Sequence, residues 1–496
     1  MTLKIKIAAI SVIILGGSAL IWLVLSYDER PTVTASTGST LEGGQAKKIL
    51  KQVQDDTGVA QDDTLGGQNG NLTDKGDSVA ATTVSPSSLS TLSSRLLFMG
   101  DVFWGRSINK WSQDSDLKYD YPFSGLSTFD RSKYNAWIAN LECPITTRIM
   151  SPAEQEQGLR FTCLPEYLPA AHKFFDVFSQ ANNHTDNQEQ IGGLKSTREY
   201  LEKEGIQYFG SFDNRVTADV CEVVNVEATT VSPLVKSQAN GSGDQGSPLG
   251  SGQADRILKQ VQDDTGGVQG GTRGGNSDKV VSEIQSQGIA SQARNDKVIV
   301  LIPIAMCGYN NVFSLPSKAS LDVISAYSKY FPTIIMPHQG QEYVNKPDSY
   351  KIATYRNMID NGADLVVGAH PHAIQSTEVY KGKLITYSLG NFIFDQQGSK
   401  TVTHHAALDV TIDFKDPSSE NVVKWLELAK NCQKYKDDCL TQAQNLKLTK
   451  PEFNLKYDII ASENEKKVTQ KADDKIQEEI LKLTNWAKTI LDLGQK

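Results

Sequence analysis

Between residues 95 and 415 the chain alternates short apolar runs with amphipathic stretches. The apolar runs, such as 96–99, 137–139 and 365–367, have the length of buried strands. The amphipathic stretches, such as 193–204 and 349–361, have the spacing of helices that cover a sheet. This alternation predicts an α/β domain with crossover helices over residues 95–415.

A different pattern, an apolar run without a charged residue, occupies residues 7–25. Such a run can cross a bilayer of about 30 Å as a helix. Lys4 and Lys6 precede it, which predicts that residues 1–6 are cytoplasmic and that everything after the run is extracytoplasmic. The residues after the run offer no convincing small-x-small cleavage site, which favours an uncleaved signal anchor over a removed signal peptide. We therefore expect a single-pass protein of the cell membrane.

Two polar segments, 26–94 and 228–296, are rich in Gly, Ser, Thr, Asp and Gln and have little apolar periodicity. Such a composition buries too little surface to offset its ordering entropy, so we predict a disordered stalk and a disordered insert. The segments share the decamer ILKQVQDDTG, at 49–58 and 257–266. Two explanations stay open: an inserted sequence element, or two copies of a short helical interaction motif.

The last segment, residues 416–496, is charged and reads as a helical extension. Helical spacing of apolar residues predicts one amphipathic helix near its end, through Ile476, Ile480, Leu483, Trp486 and Ile490. A helix of this kind is more often a packing face than a partner site.

Charge and cysteine content narrow the functional classes. The formal net charge is -8 and no basic block is present, which argues against nucleic acid as a partner. The six cysteines include no CxxC pair, which disfavours a structural zinc site of thiolates. In an oxidising compartment Cys432 and Cys439 are the first candidates for a disulfide, and Cys143 with Cys163 is a weaker one.

Polar side chains follow five of the predicted strands where each strand ends. They come in the segments Gly100-Asp101, Asn140-Leu141-Glu142, Asn182-Asn183-His184, Pro337-His338 and His370-Pro371-His372. Open α/β sheets place their ligands at the carboxyl ends of strands. Carboxylates, amides and imidazoles are the donors of a hydrolytic centre with one or two divalent ions, which the sequence therefore predicts. Viewed alone, His370 and His372 could equally be two surface loop histidines.

Six motifs in this order resemble those of the capsule-synthesis protein CapA family, which is associated with poly-γ-glutamate. They are GDVFWGR (100–106), NLECPIT (140–146), ANNHTDN (181–187), PHQGQEY (337–343), GAHPH (368–372) and YSLGNFIFD (387–395). That family is similar to the calcineurin-like metallophosphoesterases, which implies a four-layer α/β/β/α sandwich with metals at the strand ends. The family joins its strands by a short turn where 220–226 and 298–304 lie here, which implies that the insert leaves from a hairpin tip.

The resemblance implies a set of metal ligands: Asp101, Glu142, Asn183, His338, His370 and His372. Asp101 would bind the first metal, with His372 reaching back to it, and Glu142 would stand where an aspartate bridges two metals. The remaining ligands would hold the second metal. His184 would be the acid that protonates the leaving group.

Three positions depart from the pattern. Phe103 stands where the superfamily has a metal-binding histidine, which leaves the first metal site short of a ligand and opens the choice of a single-metal or altered centre. The segment Asn140-Leu141-Glu142 replaces a Gly-Asp motif. Gln339 replaces a tryptophan that is common in the family, which affects substrate fit more than metal binding.

Four further residues are candidates for substrate contact or for orienting the ligands. Asp186 and Glu342 could orient His184 and His338, or could be solvated loop carboxylates. Arg106 could hold an anionic substrate group, or could form a structural ion pair. Asn391 belongs to the same class but could simply shape a turn. Other histidines, His172, His404 and His405, are expected to be ordinary polar residues outside the site.

Two functions follow. The first is a membrane-anchored hydrolase that uses one or two divalent metals, with Mn, Fe and Zn as candidates, to act on an anionic envelope polymer such as poly-γ-glutamate. The second is a non-catalytic assembly or export factor that holds the polymer at a metal or polyanion site. Either function allows contacts with other capsule-synthesis proteins. Phe103 favours the second function, and His184 favours the first.

Overall fold

The computed structural model describes residues 89–188, 191–231, 297–434 and 438–495. The predicted anchor at 7–25, both decamers, and most of the predicted stalk and insert lie outside these residues. Within the described ranges, no helix combines the length and the apolar character needed to cross a membrane.

Strands and helices alternate along most of the described chain. The strands are β1 (Thr91–Val102), β2 (Ala136–Leu141), β3 (Val177–Ser179), β4 (Gln207–Phe209), β5 (Cys221–Val231), β6 (Lys297–Asn310), β7 (Thr333–His338), β8 (Leu365–Val367), β9 (Thr377–Tyr380), β10 (Lys383–Thr386), β11 (Asn391–Ile393), β12 (His404–Phe414), β13 (Phe453–Glu463) and β14 (Gln470–Lys471). The α-helices are α1 (Arg106–Asp114), α2 (Pro152–Gly158), α3 (Leu168–Ala171), α4 (Ile191–Glu204), α5 (Lys318–Tyr327), α6 (Ser349–Asp360), α7 (Lys400–Thr403), α8 (Glu420–Lys434), α9 (Cys439–Asn445), α10 (Asp474–Leu483) and α11 (Trp486–Asp492). Short 3₁₀ helices lie at Lys118–Phe123, Leu126–Phe129, Arg131–Lys133, Pro165–Tyr167 and Thr217–Asp219.

Strand β1 joins the arms of a branched, mixed sheet. Its residues 96–102 pair in parallel with β2, and β3 and β4 continue that arm in parallel. Its residues 91–93 pair with β5, from which β6, β7, β8, β10 and β9 follow. Its other edge pairs antiparallel with β12, which carries β13 and β14. The fold is therefore mixed α/β and rich in sheet, as the apolar pattern predicted.

Alternate residues of β1 enter different hydrophobic clusters. Leu96 and Phe98 belong to a cluster that also contains residues of β5, β6, β7 and β8. Leu97 and Met99 belong to a second cluster, which includes Trp137. A third cluster lies among β6, β7 and the helices α5 and α6. Successive side chains of a strand point to opposite faces. The two arms of the sheet therefore face each other across the first cluster, and the outer face of each arm packs in a cluster of its own.

The β5–β6 hairpin flanks the predicted insert. The two strands pair in register up to Val231 and Lys297, so the chain leaves and returns at the same tip. The hairpin tip was predicted correctly, although β5 continues past residue 228, where the sequence placed the start of the insert. Likewise β1 begins at Thr91, inside the predicted stalk.

The chain after residue 416 differs from the predicted helical extension. Strand β13 pairs with β12 over its whole length, from Phe453 to Glu463, and so belongs to the main sheet. Its alternating exposed residues are polar, which hid the strand in a charged sequence. The predicted single amphipathic helix is two helices, α10 and α11, separated at Thr484 and Asn485, and Asn485 has a φ of 60°.

The six cysteines form three disulfides. The predicted pairs Cys143–Cys163 and Cys432–Cys439 are both present. The third pair, Cys221–Cys307, joins β5 to β6 at partners in register and was not predicted. These cysteines are 86 positions apart, so only the register of the β5–β6 pairing shows that they meet.

Candidate metal centre

The predicted ligands lie together at the carboxyl ends of parallel strands. Asp101 lies near the end of β1, directly in register with Asn140 of β2. His338 ends β7 and forms a parallel bridge with Ala369, the residue before His370. Parallel pairing therefore aligns these strand ends, which is why residues far apart in sequence meet.

Glycines allow the strand ends to approach each other closely. A side chain at Gly100 would place its Cβ 1.8 Å from the carbonyl oxygen of Gly390. The next residue, Asp101, donates its backbone N–H to that carbonyl at 3.2 Å. A side chain at Gly368 would meet the carbonyl of Tyr387 at 2.2 Å. Both positions therefore require glycine, because the segments that carry Asp101 and His370 pack directly against residues 387–390.

Two groups of buried donors share one carboxylate. Asp101, Glu142 and His372 form the first group, and Glu142, His338 and His370 form the second. Within each group the ligand atoms lie within 4.8 Å of one another. Because Glu142 belongs to both groups, the geometry agrees with the bridging position that the resemblance implied for it.

The carboxylate of Glu142 is the buried group that best tests whether these residues fit a cation. The residue is 0% exposed, and neither carboxylate oxygen has a hydrogen-bond partner. His338 Nε2 and His372 Nε2 lie 3.4 Å and 3.6 Å from Glu142 Oε1. A buried carboxylate without hydrogen bonds is costly, and a divalent ion among these donors would satisfy both oxygens. The donor set therefore fits a metal.

Asparagine side chains hold the ligands in place. Asn140 Nδ2 donates to Asp101 Oδ1 at 2.8 Å, and Asn182 Nδ2 donates to Asn140 Oδ1 at 3.1 Å. Asn183 Oδ1 lies 2.9 Å from His338 Nε2, beside the second group, as predicted for a ligand there. Asn140 and Asn182 were quoted in the motifs but were not identified as supports, because the sequence does not show which amides face inward.

The turn that carries His370 and His372 has a strained backbone. His370 has a φ of 93° and His372 has a φ of 54°, although neither is glycine. Such conformations cost about 1–3 kcal/mol each and persist where the surrounding structure fixes them. His370 is further held by its backbone N–H, which donates to Asp101 Oδ2 at 3.4 Å. The alternative of two surface loop histidines is wrong, because both are 4% exposed.

The two donor groups differ in protonation. Burial, together with the neighbouring imidazoles, lowers the pKa of His370 far below its ordinary value, so its nitrogens are ready to bind a cation. Burial also disfavours a charged His372, but Glu142 and Asp101 outweigh it and raise the pKa of His372 to about 9. A metal in the first group must therefore displace a proton.

His184 lies beside the centre with partners that the sequence did not identify. Its Nδ1 is 2.7 Å from Asn187 Oδ1, and its ring stacks on Phe161 at 3.9 Å between centroids. Asn187 Oδ1 also accepts the backbone N–H of Phe161, so it is an acceptor and His184 Nδ1 carries the proton. Asn187, not Asp186, therefore orients this histidine. Burial lowers the pKa of His184 to about 4.

Arg106 and Phe103 belong to one aromatic cluster. Arg106 donates to Asp395 Oδ1 at 2.6 Å, so the structural ion pair that the sequence left open is present. Its guanidinium lies 4.5–5.5 Å from the ring centroids of Phe161, Phe103 and Phe394. Phe103 is fully buried in this cluster, so the position of the superfamily's histidine contributes packing and no donor.

The other candidates separate into two classes. Asn391 Oδ1 lies 2.8 Å from His372 Nδ1, so it supports a ligand directly. Glu342 is exposed, and the hydrogen-bond partners of His338 are amides and His370, so the predicted role of Glu342 in orienting His338 is wrong. Gln339 is buried and accepts from Asn311 at 3.2 Å. Of the remaining histidines, His172 contacts Glu204 and His404 contacts Glu465. His405 contacts the carbonyl of Val402, to which Asn391 also donates, so it lies behind the centre but belongs to neither donor group.

Comparison with known proteins agrees with these motifs. The family model described as bacterial capsule synthesis protein PGA_cap matches residues 95–396, more than half of the chain. The chain is 26% identical over 310 residues to the PGA biosynthesis protein CapA of Bacillus subtilis (strain 168), which covers 61% of this chain and 64% of that protein. It is 43% identical over 86 residues to the capsule biosynthesis protein CapA of Bacillus anthracis, which covers 17% of this chain and 19% of that one.

A third relative is the uncharacterized protein y4sH of Sinorhizobium fredii (strain NBRC 101917 / NGR234), 22% identical over 264 residues, with coverage of 49% of this chain and 55% of that protein. The chain thus spans less than two thirds of the length of these curated relatives. The match to the family model, which includes all of the predicted ligands, is the decisive finding. The chain belongs to the bacterial capsule synthesis protein PGA_cap family, within the metallophosphoesterase superfamily.

Proposed function

We propose that the protein is a membrane-anchored, metal-dependent hydrolase that acts on an anionic envelope polymer such as poly-γ-glutamate during capsule biosynthesis. The observation that carries the proposal is the buried carboxylate of Glu142, shared by two donor groups and without a hydrogen-bond partner. The names of the Bacillus relatives, which refer to capsule and PGA biosynthesis, support the biological setting.

The fold proposed for this function is the four-layer α/β/β/α sandwich of the metallophosphoesterases. The interior shared by the two arms of the sheet, and the separate cluster on the outer side of each arm, support this arrangement. The donor groups lie at the carboxyl ends of the strands, where the superfamily places its metals.

The two donor groups are expected to bind metal unequally. The second group has Glu142, His338 and His370, with Asn183 beside them, and so offers four donors. The first group has three, because Phe103 replaces the expected histidine. The mixture of nitrogen and oxygen donors suits Mn, Fe or Zn. We expect one tightly held divalent ion and a weaker second one.

The chemistry divides between the metal and the chain. A divalent ion supplies Lewis-acid polarisation of the scissile group and activates water. Asn187 and Phe161 orient His184 and leave Nε2 as the nitrogen that exchanges a proton. Because burial lowers the pKa of His184 to about 4, this nitrogen is a proton acceptor near neutral pH. The acid role implied by the resemblance then requires His184 to take up a proton from the reacting groups first.

The proposed location is the extracytoplasmic side of the cell membrane. The apolar run at 7–25 supports an anchor there. Three disulfides support an oxidising compartment for the main domain. Contacts with other capsule-synthesis proteins and with the polymer follow from this setting, and nucleic acid is not an expected partner.

The second candidate function is a non-catalytic assembly or export factor. Phe103, buried among aromatic rings, is the observation that favours it, because the first donor group is incomplete. In this function a single metal would hold carboxylates of the polymer and would not cleave it.

The test measures metal content and hydrolysis in the same preparations. Purified protein is supplied with Mn²⁺ or Zn²⁺, dialysed, and analysed for bound metal, and then assayed with poly-γ-glutamate and with a generic phosphodiester. We expect wild type to hold metal, Glu142→Gln to lose it from both groups, and His184→Gln to keep metal and lose hydrolysis. Polymer binding without cleavage by metal-loaded wild type would favour the assembly factor. Failure of wild type to retain any metal would refute the metal site.

A further inference from the structure

A chain of hydrogen bonds leads from a metal ligand to the surface. It begins at His372 and continues through Asn391 and Gln396 to the hydroxyl of Tyr343. The successive distances are 2.8 Å, 3.0 Å and 2.8 Å, all within the range of good hydrogen bonds. Tyr343 is 51% exposed, whereas His372 and Asn391 are buried. These hydrogen bonds therefore connect the buried His372 to the protein surface at Tyr343.

The direction of every hydrogen bond in this chain is determined. Asn391 Nδ2 also lies 3.1 Å from the carbonyl oxygen of Val402, which can only accept, so the orientation of this amide is fixed. Asn391 Oδ1 must then accept, and His372 Nδ1 must donate. His372 Nε2 is therefore the nitrogen available to a metal.

The same argument fixes the direction of the hydrogen bonds at Gln396 and Tyr343. Both N–H groups of the Asn391 amide are engaged, one with Val402 and the other with Gln396 Oε1. Gln396 must then donate through Nε2 to the oxygen of Tyr343. The Tyr343 hydroxyl accepts this bond and directs its own proton towards the carboxylate of Glu342, with which it also interacts.

The turn that carries His370 and His372 holds Tyr343 in place. Its backbone N–H donates to the carbonyl of Pro371, between the two histidine ligands, at 2.7 Å. Its φ is 61°, a left-handed conformation that costs free energy in a non-glycine residue. Its ring lies 6.0 Å from that of His372, with 28° between the planes. Glu342 is exposed, so an oxygen of a bound substrate can replace its carboxylate as the acceptor of the Tyr343 hydroxyl proton.

We propose that Tyr343 donates a hydrogen bond to an oxygen of the substrate at the metal centre, and that Gln396 and Asn391 are positioning residues that couple this contact to His372. The inference rests on the proposed function for the identity of the substrate, an oxygen-rich anionic polymer. The coupling between Tyr343 and His372 rests on the hydrogen bonds alone. Tyr343 was not among the candidates from the sequence, because its place beside His372 depends on the turn at Pro371.

The test separates the contact from the coupling. Tyr343→Phe removes only the hydroxyl, and Tyr350→Phe is its matched control, because Tyr350 is 72% exposed and outside the hydrogen-bond chain. Binding and turnover of a γ-linked glutamate oligomer are measured by calorimetry and product analysis on the metal-loaded full chain. We expect Tyr343→Phe to weaken binding, or to lower kcat/KM, about tenfold at unchanged metal content, the size of one lost hydrogen bond. The control should match wild type.

The coupling has a readout that needs neither substrate nor metal. In metal-free protein with ¹⁵N-labelled histidine, we expect the His372 Nδ1–H signal to be lost in Asn391→Ala and to shift without being lost in Tyr343→Phe, which removes the far end of the series of hydrogen bonds. Asn391→Ala should also bind Zn²⁺ about 10–100-fold more weakly. Unchanged ¹⁵N shifts of His372 in either variant would overturn the coupling.

Each failure has a distinct signature. If Tyr343→Phe binds and cleaves the oligomer as wild type does, the substrate contact is overturned, whatever the histidine signals show. If wild type neither binds nor cleaves the oligomer, the proposed substrate and the Tyr343 contact both fail, while the ¹⁵N experiment still decides the coupling.

Discussion

Metal binding in the first donor group should be linked to proton release, and the structure gives its magnitude. His372 lies between Asp101 and Glu142, which raise its pKa to about 9 against the effect of burial. Only about 1% of His372 is then unprotonated at pH 7. The apparent affinity of the first group is reduced about a hundredfold there, or about 2.7 kcal/mol, since one pKa unit corresponds to 1.36 kcal/mol.

The pH dependence of metal affinity follows from the direction in which the pKa of His372 is shifted. Because the metal-free site holds a proton up to about pH 9, affinity of the first group should fall about tenfold for each pH unit below that value. His370, in the second group, already has a lowered pKa and has no such proton to lose. The second group should therefore bind metal without a proton from His370.

Calorimetry in buffers of different ionisation enthalpy measures this directly. Zn²⁺ is titrated into metal-free protein between pH 6.5 and 8.5, and the number of protons released is obtained from the buffer dependence of the enthalpy. We expect a weak, proton-releasing class of sites that is absent in His372→Gln and present in His184→Gln, the matched control outside both groups. Equal proton release in wild type and His372→Gln would refute the reasoning.

Three further predictions concern the first donor group, a buried histidine and a disulfide. Phe103→His should supply the missing donor and raise Zn²⁺ affinity of the first group at least about tenfold, measured by calorimetry, and unchanged affinity would show that this position cannot reach the metal. Burial lowers the pKa of His405 to about 4, so its contribution to the free energy of unfolding is present above about pH 6.5 and is lost towards pH 4. At pH 5 the loss should be about 2 kcal/mol. Urea unfolding should show that His405→Gln lacks this loss and that the control Val402→Ala retains it. Removing Cys221–Cys307 with two serines should cost about 4–5 kcal/mol because the pair closes an 86-residue separation, and a loss below about 1 kcal/mol in thermal unfolding would contradict this.

The sequence predicted the strands and ligands that follow from a local pattern of apolar and polar residues. Apolar runs followed by a polar residue located β1, β2, β3, β7 and β8, and the ends of these strands supplied all six predicted ligands. It did not locate β13, whose exposed residues are polar and whose full-length pairing is with β12. It also missed Cys221–Cys307, because the partner of a cysteine is set by hairpin register and not by spacing.

Within the site, the missed residues are those that act through orientation. Asn187 was passed over for Asp186, because a carboxylate is the usual partner of a catalytic histidine, but the turn after β3 directs the amide to His184. Phe161 comes from the loop closed by Cys143–Cys163, whose path the sequence does not define. Side-chain direction in irregular segments depends on the surrounding packing, so these contacts follow only from the three-dimensional structure.

The unequal donor groups connect the two candidate functions. Phe103 removes one ligand from the first group, and the proton on His372 opposes a cation there, so both effects weaken the same site. The second group keeps its donors and a neutral His370, so it can hold a metal alone. His184, oriented by Asn187, would serve no evident purpose in a site that only binds polymer. The second donor group and the positioned proton acceptor are therefore the reasons to prefer the proposed hydrolase, in which a second metal would bind only at high pH or high metal concentration.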